Sequence, residues 1–100
     1  MHESAELITP AEVGKLLKAS QAVKAITVKS SPFNRGKYVI EAQKMADNHP
    51  YRAYMAMSNE WNLREYASAQ TAINALQKMG KREGIDTVYF NIMLECTDAA

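Results

Sequence analysis

Ile26-Thr27-Val28-Lys29-Ser30-Ser31-Pro32-Phe33-Asn34-Arg35-Gly36-Lys37-Tyr38-Val39-Ile40-Glu41-Ala42-Gln43 is the stretch on which the fold turns. Its two ends are rich in β-branched and aromatic residues, which suit a pleated, half-buried surface. Its middle is turn chemistry: Pro32 fixes one φ angle, Gly36 tolerates a positive one, and serines and Asn34 hydrogen-bond locally. The reading is two extended segments, Ala25 to Val28 and Lys37 to Gln43, joined by a tight connection. A third, Tyr51 to Met57, follows the turn-like Asp47-Asn48-His49-Pro50, so the middle of the chain predicts an antiparallel meander.

Helices flank this meander. In Thr9-Pro10-Ala11-Glu12, Thr9 and Glu12 have capping-box spacing and Pro10 stands where a missing N–H does no harm. Ile8 and Val13 stand at staple positions, and Val13, Leu16 and Leu17 make one apolar stripe, predicting a helix to about Ser20. A second helix is expected over residues 68–80, where Ala69, Ala72, Ile73 and Leu76 recur at helical spacing and Gly80 suits a left-handed stop. Two starts fit it: Asn62 with Glu65, stapled by Trp61 and Tyr66, or Ser68, which leaves residues 61–66 extended. Thr87 to Leu94 is apolar on both faces, as in a strand buried within a sheet. Met55, Met57, Met93 and Ile73 are expected in the core, with Tyr38, Tyr51 and Tyr54 half-buried on strands.

The expected fold is therefore α+β, an antiparallel sheet of four to five strands with two helices packed on one face, in the order α-β-β-β-(β)-α-β. One hundred residues suit a single globular domain, 1–100, with residues 1–6 and 95–100 as loose termini. Hydrophobic residues at 47% and charged residues at 23% are average values, which argues against a disordered or collagen-like chain. No apolar run approaches the roughly 18 residues of a membrane span, and Met1 to Glu6 lacks the basic and apolar regions of a signal peptide. The expectation is a cytoplasmic protein with no membrane contact. Its one cysteine, Cys96, excludes an internal disulfide and a cysteine-built zinc site.

Charge is uneven behind a net value of +1. Residues 24–52 carry Lys24, Lys29, Arg35, Lys37, Lys44 and Arg52 against Glu41 and Asp47, an excess of +4, while the flanking segments are acidic. Lys29, Phe33, Arg35, Lys37, Lys44 and Arg52 are thus the candidate partner- or nucleic-acid-binding residues: cations for phosphates or an acidic surface, and one ring at the tip able to stack. The alternatives for this segment are a solvated basic surface and a Phe33 that folds back onto the sheet.

Signatures of catalysis are missing. There is no Gly-rich phosphate loop, nucleophile elbow or His-Glu-x-x-His, and His2, His49 and Cys96 have no spacing that assembles a metal site or a nucleophile with its base. No catalytic, metal or cofactor residue is assigned, and no cofactor is expected.

Leu7-Ile8-Thr9-Pro10-Ala11-Glu12-Val13-Gly14-Lys15-Leu16-Leu17-Lys18-Ala19-Ser20 resembles the opening helix of excisionase-type winged-helix DNA-binding domains, with residues 34–43 where a wing would come. That resemblance implies a recognition helix from about Gln21. Here Ile26-Thr27-Val28 favours a strand and no arginine-rich helical face follows, so no family is assigned. The expected function is a small non-catalytic binding or regulatory protein acting through another protein, with self-association through a sheet edge as one form. The alternative is nucleic-acid binding by the basic hairpin around residues 29–37, and the second alternative a small enzyme.

Overall fold

Capping and alternation account for most of the local structure, and a computed structural model describes it at residues 6–19, 26–46, 49–57 and 60–93, with the backbone alone at 44–46, 49–51 and 60–61. The elements are β1 (Glu6–Ile8), α1 (Pro10–Ala19), β2 (Ile26–Ser30), β3 (Tyr38–Ala46), β4 (His49–Met57), β5 (Glu60–Leu63), α2 (Ala69–Arg82) and β6 (Asn91–Met93). α1 begins as its sequence dictates: the Glu12 N–H donates to Thr9 Oγ1 at 3.1 Å, and Ile8 and Val13 are both buried. Ser68 caps α2, its hydroxyl accepting from the Thr71 N–H at 3.2 Å, which leaves the preceding segment extended.

β2, β3 and β4 form the antiparallel meander, with Val28 opposite Ile40, Ala42 opposite both Ile26 and Ala53, and Ala46 opposite His49. The β3–β4 pairing ends at Glu41 and Tyr54. Beyond it, β4 pairs with β5 and the Arg64 N–H donates to the Met55 carbonyl at 2.9 Å. On β3, Tyr38 and Tyr66 exchange backbone hydrogen bonds of 2.9 and 2.8 Å. The segment leading into α2 is thereby bound to both β3 and β4.

The fold is α+β, but the sheet is mixed rather than antiparallel. Its path is β1-β4-β3-β2-β6 with β5 on β4, six strands among the described residues, and the two end strands run parallel to their neighbours, β1 to β4 and β6 to β2. A three-residue edge strand carries no readable alternation, which is why the sequence does not announce β1, and the apolar run that contains β6 does not reveal its direction. Glu6, expected in a loose terminus, belongs to β1. His49 and Pro50, expected in a turn, open β4, where a proline at a strand's start costs little.

Ile26, Val28, Ile40, Ala42, Ala53 and Met55 share one sheet face and form a single buried cluster with Val13 and Leu17 of α1 and Ala72, Leu76 and Met79 of α2. Ile73 packs partly buried against it. Gly80 does not stop α2. It lies buried within the helix, where a Cβ would fall 2.4 Å from Val88 Cγ1, and the chain turns at Gly84, φ +80°. A glycine here lets the segment after the helix pass close to the helix axis.

That segment supplies the largest departure from expectation. Only residues 91–93 of the apolar run 87–94 are a described strand, and β6 lies at the sheet's end, with Ile92 53% and Met93 62% exposed. Met93 is therefore not core, while Met55 is buried and Met57 half-buried. The α2 crossover delivers the run beside β2, the outermost strand of the meander, so its apolar side chains have one neighbour instead of two. No described helix is long and apolar enough to cross a membrane. Residues 1–5 and 94–100 and the side chains of Lys44, His49, Tyr51 and Trp61 lie outside the described residues, as do His2 and Cys96.

Candidate functional site

Strand alternation puts the second face of the sheet opposite the helices, and the structure gathers part of the predicted basic set there. Lys29 stands beside Val39 and across from Glu41's strand, and its Nζ pairs with Glu41 Oε2 at 3.2 Å. Both side chains are largely buried, so this lysine's charge is already answered within the sheet. Arg52 reaches the same carboxylate more loosely, Nε to Oε2 3.9 Å, and is 70% exposed. An exposed pair at that distance contributes little, and Arg52 stays available to a partner.

The loop between β2 and β3 is built on one serine. Buried Ser31 accepts from the Phe33 and Asn34 N–H groups at 3.1 and 3.2 Å and donates its hydroxyl to Glu65 Oε2 at 2.9 Å. Asn34 Nδ2 donates to the same carboxylate at 2.8 Å. The Ser31 N–H also donates to the Lys37 carbonyl at 2.8 Å, which closes the loop's base. Glu65, from the segment after β5, was read in the sequence only as a possible capping partner of Asn62, not as part of this loop. Its isolated carboxylate looks like any surface acid until the fold sets it beside Ser31 and Asn34.

Held this way, Phe33 turns back onto the sheet, and its ring meets Tyr54 edge to face. It remains 49% exposed. Tyr54, expected half-buried, is buried, and its phenol is pushed above the ordinary value of 10.0, first by that burial and then by the charge and hydrogen bond of Glu41. Arg35 and Lys37 stand exposed on the loop, and among the described residues neither has a carboxylate partner. The backbone of Lys44 pairs opposite Tyr51 further along the hairpin. Lys29, Phe33 and Arg52 are thus brought together around Glu41 and Tyr54, while no described contact joins Arg35 or Lys37 to them.

Next to this site, on β6 where Met93 pairs with Lys29 of β2, Ile92 and Met93 are exposed large apolar residues, as is Tyr89 in the segment before the strand. Their signal in the sequence is the unbroken apolar run itself, which reads equally as a buried strand. Among the described residues no group of three or more His, Cys, Asp or Glu side chains is placed to hold a metal ion. Set against protein-family models, curated proteins and solved structures, the chain matches none of them.

Proposed function

We propose that this chain is a small non-catalytic binding protein that acts through another protein, taking an extended segment of that partner along β6. The observation that carries this reading is the exposure of Ile92 and Met93, neighbours that alternation sends to opposite faces of the sheet's terminal strand. Natural proteins blunt such edges with charge, proline or cover, and β6, Asn91-Ile92-Met93, has none of the first two. An added strand continues the backbone ladder and covers alternate side chains, which gives affinity and selectivity together. The test is copurification from the source organism with the wild-type chain and with I92K/M93K, before and after nuclease. A protein captured by the wild type, retained after nuclease and lost with the double variant supports the reading. Capture that the variant leaves unchanged removes it, and a wild-type dimer that the variant dissociates makes a second copy the partner.

Nucleic acid is the second reading, favoured by Arg35 and Lys37 having no described carboxylate partner and by the exposure of Arg52. Titrating labelled single- and double-stranded oligonucleotides near physiological salt, on the order of 0.1 M, tests it. If these three residues contact duplex phosphates, R35Q/K37Q/R52Q lowers the salt slope by roughly 0.9 per lost contact. Lys29, tied to Glu41, is expected to contribute nothing to that slope.

A further inference from the structure

A second feature, independent of the β6 edge, lies where the end of β4 meets α2. A cleft of about 390 Å³ opens there, with Pro10, Met55, Met57, Ala75 and Met79 as an apolar lining and three cations, Arg64, Lys78 and Arg82, on its walls. Among the described residues no aspartate or glutamate lines it, and none of the three cations has a carboxylate partner. We propose that this cleft binds a small phosphate monoester carrying a flat apolar body, the phosphate held by Arg64, Lys78 and Arg82.

Arg64 is set for the task before any ligand arrives. Its N–H is bonded to the Met55 carbonyl, and its guanidinium lies 4.7 Å from the centroid of the buried Tyr66 ring. This cation–π contact uses no acceptor oxygen, and among the described residues the guanidinium N–H groups have no hydrogen-bond partner, so its fork can grip two oxygens of one anion. Lys78 and Arg82 stand four residues apart on α2, where like charges disfavour one another. All fourteen residues of α2 lack an acid that could offset them. The negative end of the helix dipole explains a cation in the last turn, but not a third one delivered from the segment after β5.

Charge selects the anion. A phosphate monoester near neutral pH brings close to two negative charges and three acceptor oxygens to three cations, where a carboxylate brings one charge and two oxygens. Shape selects its body. The cleft's volume lies within the range of small-molecule sites, about 300 to 1,000 Å³, and methionine thioethers adapt well to a ring. An adjoining cavity of about 320 Å³ shares Pro10, Met79 and Arg82 but includes Glu83, whose charge keeps the phosphate at the Arg64 side.

The experiment is an amide chemical-shift titration of the full chain with phenyl phosphate, at constant ionic strength because exposed cations are screened by salt. The expected result is saturable shifts centred on Arg64, Lys78 and Arg82, with weaker binding of inorganic phosphate, which lacks the ring, and of benzoate, which lacks the second charge. R64Q and K78Q should each weaken phenyl phosphate by about tenfold, the scale of one charge-assisted hydrogen bond. K81Q, on the same helix but outside the lining, should leave binding unchanged. K78Q changes an exposed side chain, so it keeps the test open should R64Q fail to fold. The proposal is overturned by no saturation up to about 10 mM, a concentration that detects even millimolar affinity. Benzoate binding as tightly as phenyl phosphate, or K81Q acting as strongly as K78Q, overturns it as well.

Discussion

The ring of Phe33 stands edge-on to the ring of Tyr54, with 5.5 Å between centroids and 82° between planes. Of the two sequence readings of Phe33, a free stacking tip and a ring folded back onto the sheet, the second is found: the ring is an arm of the sheet, positioned by Ser31 and Glu65 and covering a buried phenol. Such a pair contributes about 0.5 to 1.5 kcal/mol beyond area burial. Urea melts of F33A, Y54A and the double variant should show a coupling of that size, and strictly additive losses would mean that the two rings act independently.

The same pair sets a pH dependence. Because the folded pKa of Tyr54 lies above its ordinary 10.0, the neutral phenol's contribution is fully present below the unfolded value and is lost as pH rises through the folded one. Alkaline titration followed by tyrosinate absorbance should show one component ionising above that value. F33A, by admitting water, and E41Q, by removing the neighbouring charge, should each bring it down. An unchanged titration in both variants contradicts this account of the phenol.

Two capping hydroxyls provide a local test. T9A and S68A each remove the acceptor for an N–H of the first helical turn, Glu12 in one case and Thr71 in the other, and each should cost about 1 kcal/mol. Denaturation of S68A decides the start of α2: no loss of stability there would return the boundary to the Asn62 side.

Gly80 separates helix propensity from packing. Alanine within a helix is ordinarily better than glycine by about 1 kcal/mol, yet a Cβ at this position meets Val88 at 2.4 Å and Ile85 at 3.2 Å. G80A should therefore destabilise the protein, by about 1 to 3 kcal/mol, the usual cost of overpacking. V88A should rescue part of that loss when combined with it. A G80A protein more stable than wild type would show that residues 85–88 move away freely.

What the sequence determined by itself was whatever depends on neighbours a few residues apart. Thr9 and Glu12 lie one helical turn apart, Val28 and Ile40 carry period-two alternation, Pro32 fixes its own φ and Gly36 admits a positive one, so caps, meander and turn were legible without a fold. Ser68 was legible only as one of two starts, because local chemistry ranks caps without knowing what the preceding segment pairs with. The tertiary structure alone decided the rest. Alternation says which side chains share a face but not which strand lies alongside, so β1 escaped notice, and the strand expected within residues 87–94 was placed inside the sheet instead of at its end, parallel to β2, with Ile92 and Met93 exposed. The basic segment divided for the same reason: Lys29 and Glu41 are twelve residues apart in the chain, and only the register of β2 on β3 brings them to 3.2 Å. Arg64 reaches the cleft of Lys78 and Arg82 because residues 60–66 are bound to both β3 and β4, a long-range arrangement that no local pattern encodes.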